Sequence, residues 1–207
     1  MMELIVISYP TFIVNEASFI NRLFDDGLSI LHLRKPESSE EEIGKLLKQI
    51  DSKYYSQIAL HQHHQIAHEF GIKRFHFSVK NRNELFTDQL SKLKKENFIL
   101  STSVHSIEEY KQLDKLFDYT FFGPVYGSIS KEGYIALNDQ NFDCTTFQNH
   151  ISVIALGGIH QGNVHSIEEK GFQGAAVLGA IWKKPENAIE NFRSLKSELQ
   201  KKNISHV

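Results

Sequence analysis

The sequence predicts an α/β chain that folds as one (β/α)8 TIM barrel. Three observations predict it. Eight short, apolar, β-prone runs recur along the 207 residues. Charged amphipathic stretches separate them, as the crossovers of a parallel sheet require. No linker, low-complexity stretch or composition break interrupts the series, so 1–207 reads as a single domain. Right-handed crossovers repeated eight times can close a sheet into a barrel. Periodicity alone leaves an open doubly wound sheet as the alternative.

The runs are Leu4 to Ile7, Leu28 to Leu33, Gln57 to Leu60 and Arg74 to Phe77, then Phe98 to Leu100, Tyr119 to Phe122, Ile151 to Leu156 and Gly174 to Leu178. Ser29 and His32 place polar groups within the second. Helices are predicted over Glu40 to Lys53, Glu84 to Lys95, Ser106 to Phe117 and Asn163 to Lys170. Ser39 with Glu42, and Ser106 with Glu109, have capping-box spacing. Gly27, Gly71 and Gly171 sit where helices end on a left-handed residue.

Bulk composition excludes several classes. Hydrophobic residues make up 41% and charged residues 23%, a normal globular balance. A net charge of −2 gives no electrostatic reason to expect nucleic acid. One cysteine, Cys144, cannot form a disulfide within the chain. Met1 to Pro10 has no basic segment and does not read as a signal peptide. No apolar stretch nears the roughly 20 residues that span a bilayer. The expectation is a cytoplasmic protein with no membrane partner.

A barrel gathers the loops that follow its strands at one mouth. Those loops carry a polar set. Strand two supplies His32, Arg34 and Lys35, strand three His61, Gln62 and His63, and strand four His76, Ser78, Lys80 and Asn81. Strand five adds Ser101, Thr102, Ser103 and His105, and strand six leads into Gly123 through Lys131. The last two strands end in Gly157-Gly158 and Leu178-Gly179. Glycine there lets a backbone N–H approach a ligand, the usual phosphate cradle of this architecture. Arg34, Lys131 and the serines complete an anion site. His61, His63, His64 and His68 form a sequence cluster, but it lacks the HExxH pattern and a nearby cysteine. No metal is assigned to it.

Six motifs stand in the order and spacing of the thiamine phosphate synthase/TenI superfamily. They are Leu31-His32-Leu33-Arg34, Ser103 through Glu109, Phe122-Gly123-Pro124-Val125-Tyr126, Ser128-Ile129-Ser130-Lys131, Ala155 through Ile159 and Gly174 through Val177. The chain resembles that superfamily over nearly its whole length. The resemblance implies a barrel acting in thiamine biosynthesis. The family's synthases join hydroxymethylpyrimidine pyrophosphate to a thiazole phosphate with Mg²⁺. Its TenI members are thiazole tautomerases or have less certain roles.

The thiazole-phosphate half of the pattern holds. Ser128, Ser130 and Lys131 stand for the family's Thr-x-Thr-Lys. The resemblance implies substrate binding by Ser103, Gly123, Ser128 and Ser130. It implies phosphate binding by Gly157, Gly158, Leu178 and Gly179. The pyrimidine-pyrophosphate half departs from the pattern. Gln-x-Arg-x-Lys reads His32-Leu33-Arg34-Lys35-Pro36, Asn-Asp reads His61-Gln62, and the second magnesium aspartate falls at Asn81. Mg²⁺ is therefore expected only if synthase activity persists. The tautomerase histidine position is Pro124, so His105, His76 or His32 would have to move the proton. Lys131, Arg34 and His105 are the expected catalytic residues. The favoured expectation is a TenI-like protein that takes a thiazole phosphate and forms a homodimer. Alternatives are a working thiamine-phosphate synthase and a non-catalytic regulatory binder.

Overall fold

The computed structural model describes residues 2–127 and 151–201. Among them, eight parallel strands close into a barrel: β1 (Glu3–Ile7), β2 (Ile30–Leu33), β3 (Ile58–Leu60), β4 (Arg74–Phe77), β5 (Ile99–Val104), β6 (Tyr119–Phe122), β7 (Ser152–Leu156) and β8 (Gly174–Val177). Each pairs with the next, and β8 returns to β1. The helices are α1 (Glu16–Asp25), α2 (Glu40–Gln49), α3 (Ala67–Phe70), α4 (Val79–Asn83), α5 (Thr87–Lys95), α6 (Ile107–Lys111), α7 (Ser166–Glu169), α8 (Gly179–Trp182) and α9 (Ala188–Gln200). No described helix is long and apolar enough to cross a membrane.

Alternate residues of a strand face opposite sides. Here that periodicity makes two cores. Ile5, Ile7, Ile30, Ala59, Tyr119, Phe121, Ile154 and Ala176 pack together inside the barrel. Leu4, Val6, Leu31, Leu33 and Leu60 face outward, into a larger core shared with Ile20 and Leu23 of α1, Leu47 of α2 and Phe192 of α9. Closure depends on Gly174, opposite Glu3 in the register. A Cβ there would lie 2.5 Å from the Glu3 carbonyl oxygen, too close for any other residue. The buried Trp182 indole N–H then bonds the Ile7 carbonyl at 2.7 Å, tying α8 to the end of β1.

The predicted strands all form, within a few residues at their ends. The helices are shorter than their amphipathic stretches. The Ser39–Glu42 capping box forms with both bonds. However, α2 stops at Gln49, because Asp51 accepts from the Lys53 N–H and starts a separate 3-10 segment, Ser52–Gln57. At Ser106 only half the box forms, since the Glu109 carboxylate takes the His105 N–H instead. The helix predicted to reach Phe117 ends at Lys111. Asp114 Oδ1 accepts from the Leu116 N–H, a local bond that competes with helix. Gly27, Gly71 and Gly171 all adopt the left-handed conformation expected of them.

Lys35 does not join the mouth. It is fully buried, and its ammonium bonds both Glu16 carboxylate oxygens at 2.6 and 2.7 Å. It also donates to the Tyr9 and Thr11 carbonyls at 2.8 Å each. Burial pushes the Glu16 carboxyl up and the Lys35 ammonium down, and their mutual contact opposes both shifts. The pair thus clamps the β1–α1 loop onto the end of β2. Lys35→Met would leave Glu16 uncompensated and should cost about 3–5 kcal/mol in urea unfolding. Lys35→Met with Glu16→Leu should recover much of that loss. A single variant as stable as wild type would refute the clamp.

Candidate active site at the barrel mouth

Three neighbouring strands deliver three imidazoles to one point inside the barrel. His32 lies two residues beyond inward-facing Ile30, and His61 two beyond inward-facing Ala59, so each inherits the inner face. His76 comes from β4. His32 and His76 are buried, and His61 is half-buried toward the mouth.

Contacts fix each ring. His32 Nδ1 lies 2.9 Å from His61 Nε2, and His32 Nε2 lies 2.7 Å from the Tyr119 hydroxyl. His61 stacks on His76 with ring centres 4.1 Å apart. Phe121 packs against His32 and His76 at 4.6 and 5.0 Å. Ser101 donates to the Phe75 carbonyl at 3.2 Å. Its oxygen is then the acceptor for His76 Nδ1–H, 3.0 Å away. That leaves a lone pair on His76 Nε2, toward which the Ser103 hydroxyl donates at 3.2 Å.

All three histidines are held neutral, first by burial and then by neighbouring positive groups. Burial and the charges of His64 and Arg34 bring His76 down to about 3. Burial with His76 does the same for His32, and burial with His76, His32 and Arg34 for His61, both well below the usual range. Burial pushes the Tyr119 phenol up to about 12, so it keeps its proton.

Arg34 is exposed at the rim. Ser8 holds its backbone, accepting from the Arg34 N–H at 2.9 Å and donating to the Arg34 carbonyl at 3.1 Å. His105 is also exposed, and its Nδ1 lies 2.7 Å from the Gly123 carbonyl. A carbonyl only accepts, so Nδ1 carries a proton and donates it to Gly123. Arg82, on α4, donates to the Ser103 carbonyl at 2.6 Å and thereby fixes the exit of β5.

The β6 and β7 exits lie against each other. Val125 and Tyr126 donate to the Leu156 and Gly157 carbonyls at 2.9 and 3.2 Å. The Gly123–Pro124 bond is cis. Gly158 has φ +65°, and a Cβ there would stand 2.7 Å from the Tyr126 carbonyl oxygen. With the carbonyls turned into the β6 loop, the Gly157 and Gly158 N–H groups bond no acceptor among the described residues. Leu178 and Gly179 follow β8, next to β7 in the sheet, so both glycine exits share one rim.

The structure thus gathers Arg34, Ser103, His105, Gly123, Gly157, Gly158, Leu178 and Gly179 at the C-terminal strand ends. Ser128, Ser130 and Lys131 lie outside the described residues. The sequence cluster of four histidines is divided. His61 turns inward. His63 Nε2 lies 2.8 Å from the Ser38 carbonyl, and His64 Nε2 2.9 Å from the Leu60 carbonyl. His68 packs edge-on to Phe98. Sequence reasoning missed the grouping of His32, His61, His76 and Tyr119. Its only signal was the inward parity of positions on different strands.

The family model described as thiamine monophosphate synthase, TMP-TENI, matches residues 4–181. The chain belongs to that family. Among its relatives is a thiamine-phosphate synthase of Methanococcus maripaludis, 26% identical over 81% of each chain. Another, from Methanobrevibacter smithii, is 26% identical over 91% of this chain and 92% of its own. The crystal structure of a thiamine phosphate pyrophosphorylase from Bacteroides thetaiotaomicron is 32% identical, covers 100% of both chains and superposes with a TM-score of 0.74.

The family resemblance implies magnesium ligands at Gln62 and Asn81, and the residues present do not fit that ion. Both side chains are neutral, whereas Mg²⁺ favours carboxylates. Gln62 Oε1 already accepts from the Lys35 N–H at 3.3 Å. Asn81 is exposed on α4.

His76 carries a pH signature. Its pKa is depressed in the fold, so below about 6.5 the unfolded chain binds a proton that the native chain refuses. Stability should therefore fall as pH drops from 6.5 toward 3, at about 1.4 kcal/mol per pH unit for this one group. Urea unfolding in EDTA at pH 7 and pH 5 should give His76→Asn a shallower pH dependence than wild type. Parallel slopes would contradict the assignment.

Proposed function

We propose that this chain is a thiamine-pathway protein of TenI type that holds a thiazole phosphate at the barrel mouth. The observation that carries the reading is the pair of unengaged N–H groups at Gly157 and Gly158, on the rim shared with Gly179. Backbone donors converging on an open mouth suit a phosphate dianion. Ser128, Ser130 and Lys131 are proposed to add two hydroxyls and an ammonium to the same anion. Arg34 supplies positive charge from the β2 exit of the same rim, two strands from β8.

Chemistry on the heterocycle needs a base placed at the mouth. His105 fits that role best, with Nδ1 anchored on Gly123 and the ring exposed at the rim. His32 and His76 fit it less well, because their nitrogens are engaged in a buried network. No step is assigned to magnesium.

Calorimetric titration with hydroxyethylthiazole phosphate should show saturable binding at one site per chain. Gly158→Ala should weaken it at least about tenfold, since the added methyl displaces the β6–β7 contact and shifts the donors. Absence of heat with both the thiazole phosphate and its carboxylate would overturn the reading.

The named activity of the relatives supports a second reading, a thiamine-phosphate synthase with an altered metal site. A coupled assay with hydroxymethylpyrimidine pyrophosphate, thiazole phosphate and Mg²⁺ separates the two. On the TenI reading wild type forms no thiamine phosphate, whereas turnover by the unmodified chain would establish the second. Any gain in Gln62→Asp/Asn81→Asp would confirm that lost carboxylates are the defect.

A further inference from the structure

We propose that His32, His61 and His76 bind a single divalent transition-metal ion, with zinc the best match. One ring nitrogen from each lies within 4.8 Å of the other two. Nitrogens sharing a tetrahedral zinc stand about 3.3 Å apart, given Zn–N distances of about 2.0–2.1 Å. To close on an ion the rings must draw together and His61 must turn out of its stack on His76, toward the half-exposed mouth side.

The protonation pattern fits as well. His32 Nδ1 and His61 Nε2 face each other at 2.9 Å, so a single proton lies between two nitrogens that could each offer a lone pair. Binding needs the tautomer with His32 protonated at Nε2, donating to Tyr119, and His61 protonated at Nδ1. His76 already presents its Nε2 lone pair, because Ser101 holds its Nδ1–H. No net proton has to leave. Two of the three ligands thus have an outer hydrogen-bond partner that orients the ring, as metal-bound histidines almost always do. No carboxylate bonds any of the three rings among the described residues.

Imidazole nitrogens select zinc, copper, nickel or iron and disfavour magnesium. Three protein ligands leave at least one coordination position open. His61 and Ser103, the partly exposed members of the group, place that position on the mouth side, near Arg34. An anionic oxygen of a substrate is the class of ligand that suits it. This last clause rests on the mouth being the substrate site, whereas ion binding itself does not.

The test uses the untagged full chain, stripped with EDTA and titrated with Co²⁺ and then Zn²⁺ in the absence of any phosphate compound. Co²⁺ should saturate at one per chain with strong visible absorption, and Zn²⁺ should displace it. His61→Asn, at the half-buried position, should weaken binding at least about tenfold while keeping wild-type circular dichroism. Tyr119→Phe should weaken it by about 10–100-fold. His63→Ala and His64→Ala should leave it unchanged, and Mg²⁺ should not compete. No saturable binding, or equal binding by wild type and His61→Asn, would overturn the proposal. So would loss of binding in His63→Ala. Because no thiazole phosphate is present, these results are independent of the calorimetric test above.

Discussion

Closure of β8 onto β1 is the constraint on which the molecule depends. A closed parallel sheet leaves no edge strand, and it fixes strand tilt for all eight members. Every strand then delivers its last residues to one rim. Gly174 makes that closure sterically possible, because the Glu3 carbonyl occupies the space a side chain would need. The Trp182 bond to Ile7 then seats the β8 exit on the same ring of residues as β1.

The two halves of the mouth are built by different means. On the β6–β8 side, backbone dominates. Glycines let the β6 and β7 exits pack closely, N–H of one to carbonyl of the other, and the Gly157 and Gly158 N–H groups are left without an acceptor among the described residues. On the β2–β4 side, side chains dominate, and they are imidazoles where the family resemblance implies a glutamine and an asparagine at the first two positions. Imidazoles without a carboxylate partner stay neutral when buried, since ionisation would place uncompensated charge in a low-dielectric core. That half of the mouth is therefore a cluster of lone pairs and N–H groups.

Charge along the sequence gave an incomplete guide to charge at the site. Arg34 and Lys35 are neighbours in the chain, but alternate strand parity sends them to opposite faces. Arg34 reaches the rim. Lys35 is buried against Glu16, nineteen residues earlier, where it organises a loop. Similarly, Ser106 caps its helix as its spacing suggests, yet Glu109 answers His105 instead of Ser106, because that carboxylate also lies 3.6 Å from Arg82.

The sequence by itself determined the barrel, the positions of its strands, the glycine exits and the family. The strands and glycine exits follow from local rules: period-two hydrophobicity, capping residues, and glycine where backbone must approach backbone. The family, and with it the closed barrel, follows from the resemblance of six motifs in register. Only the tertiary structure decided which histidines meet. His61, His63, His64 and His68 are close in sequence and part in space, because a strand exit and a helix start point them in different directions. His32, His61 and His76 are far apart in sequence and meet inside the barrel. Parallel register and barrel closure bring inward positions of successive strands into contact, and no local pattern encodes which inward positions stand level with one another.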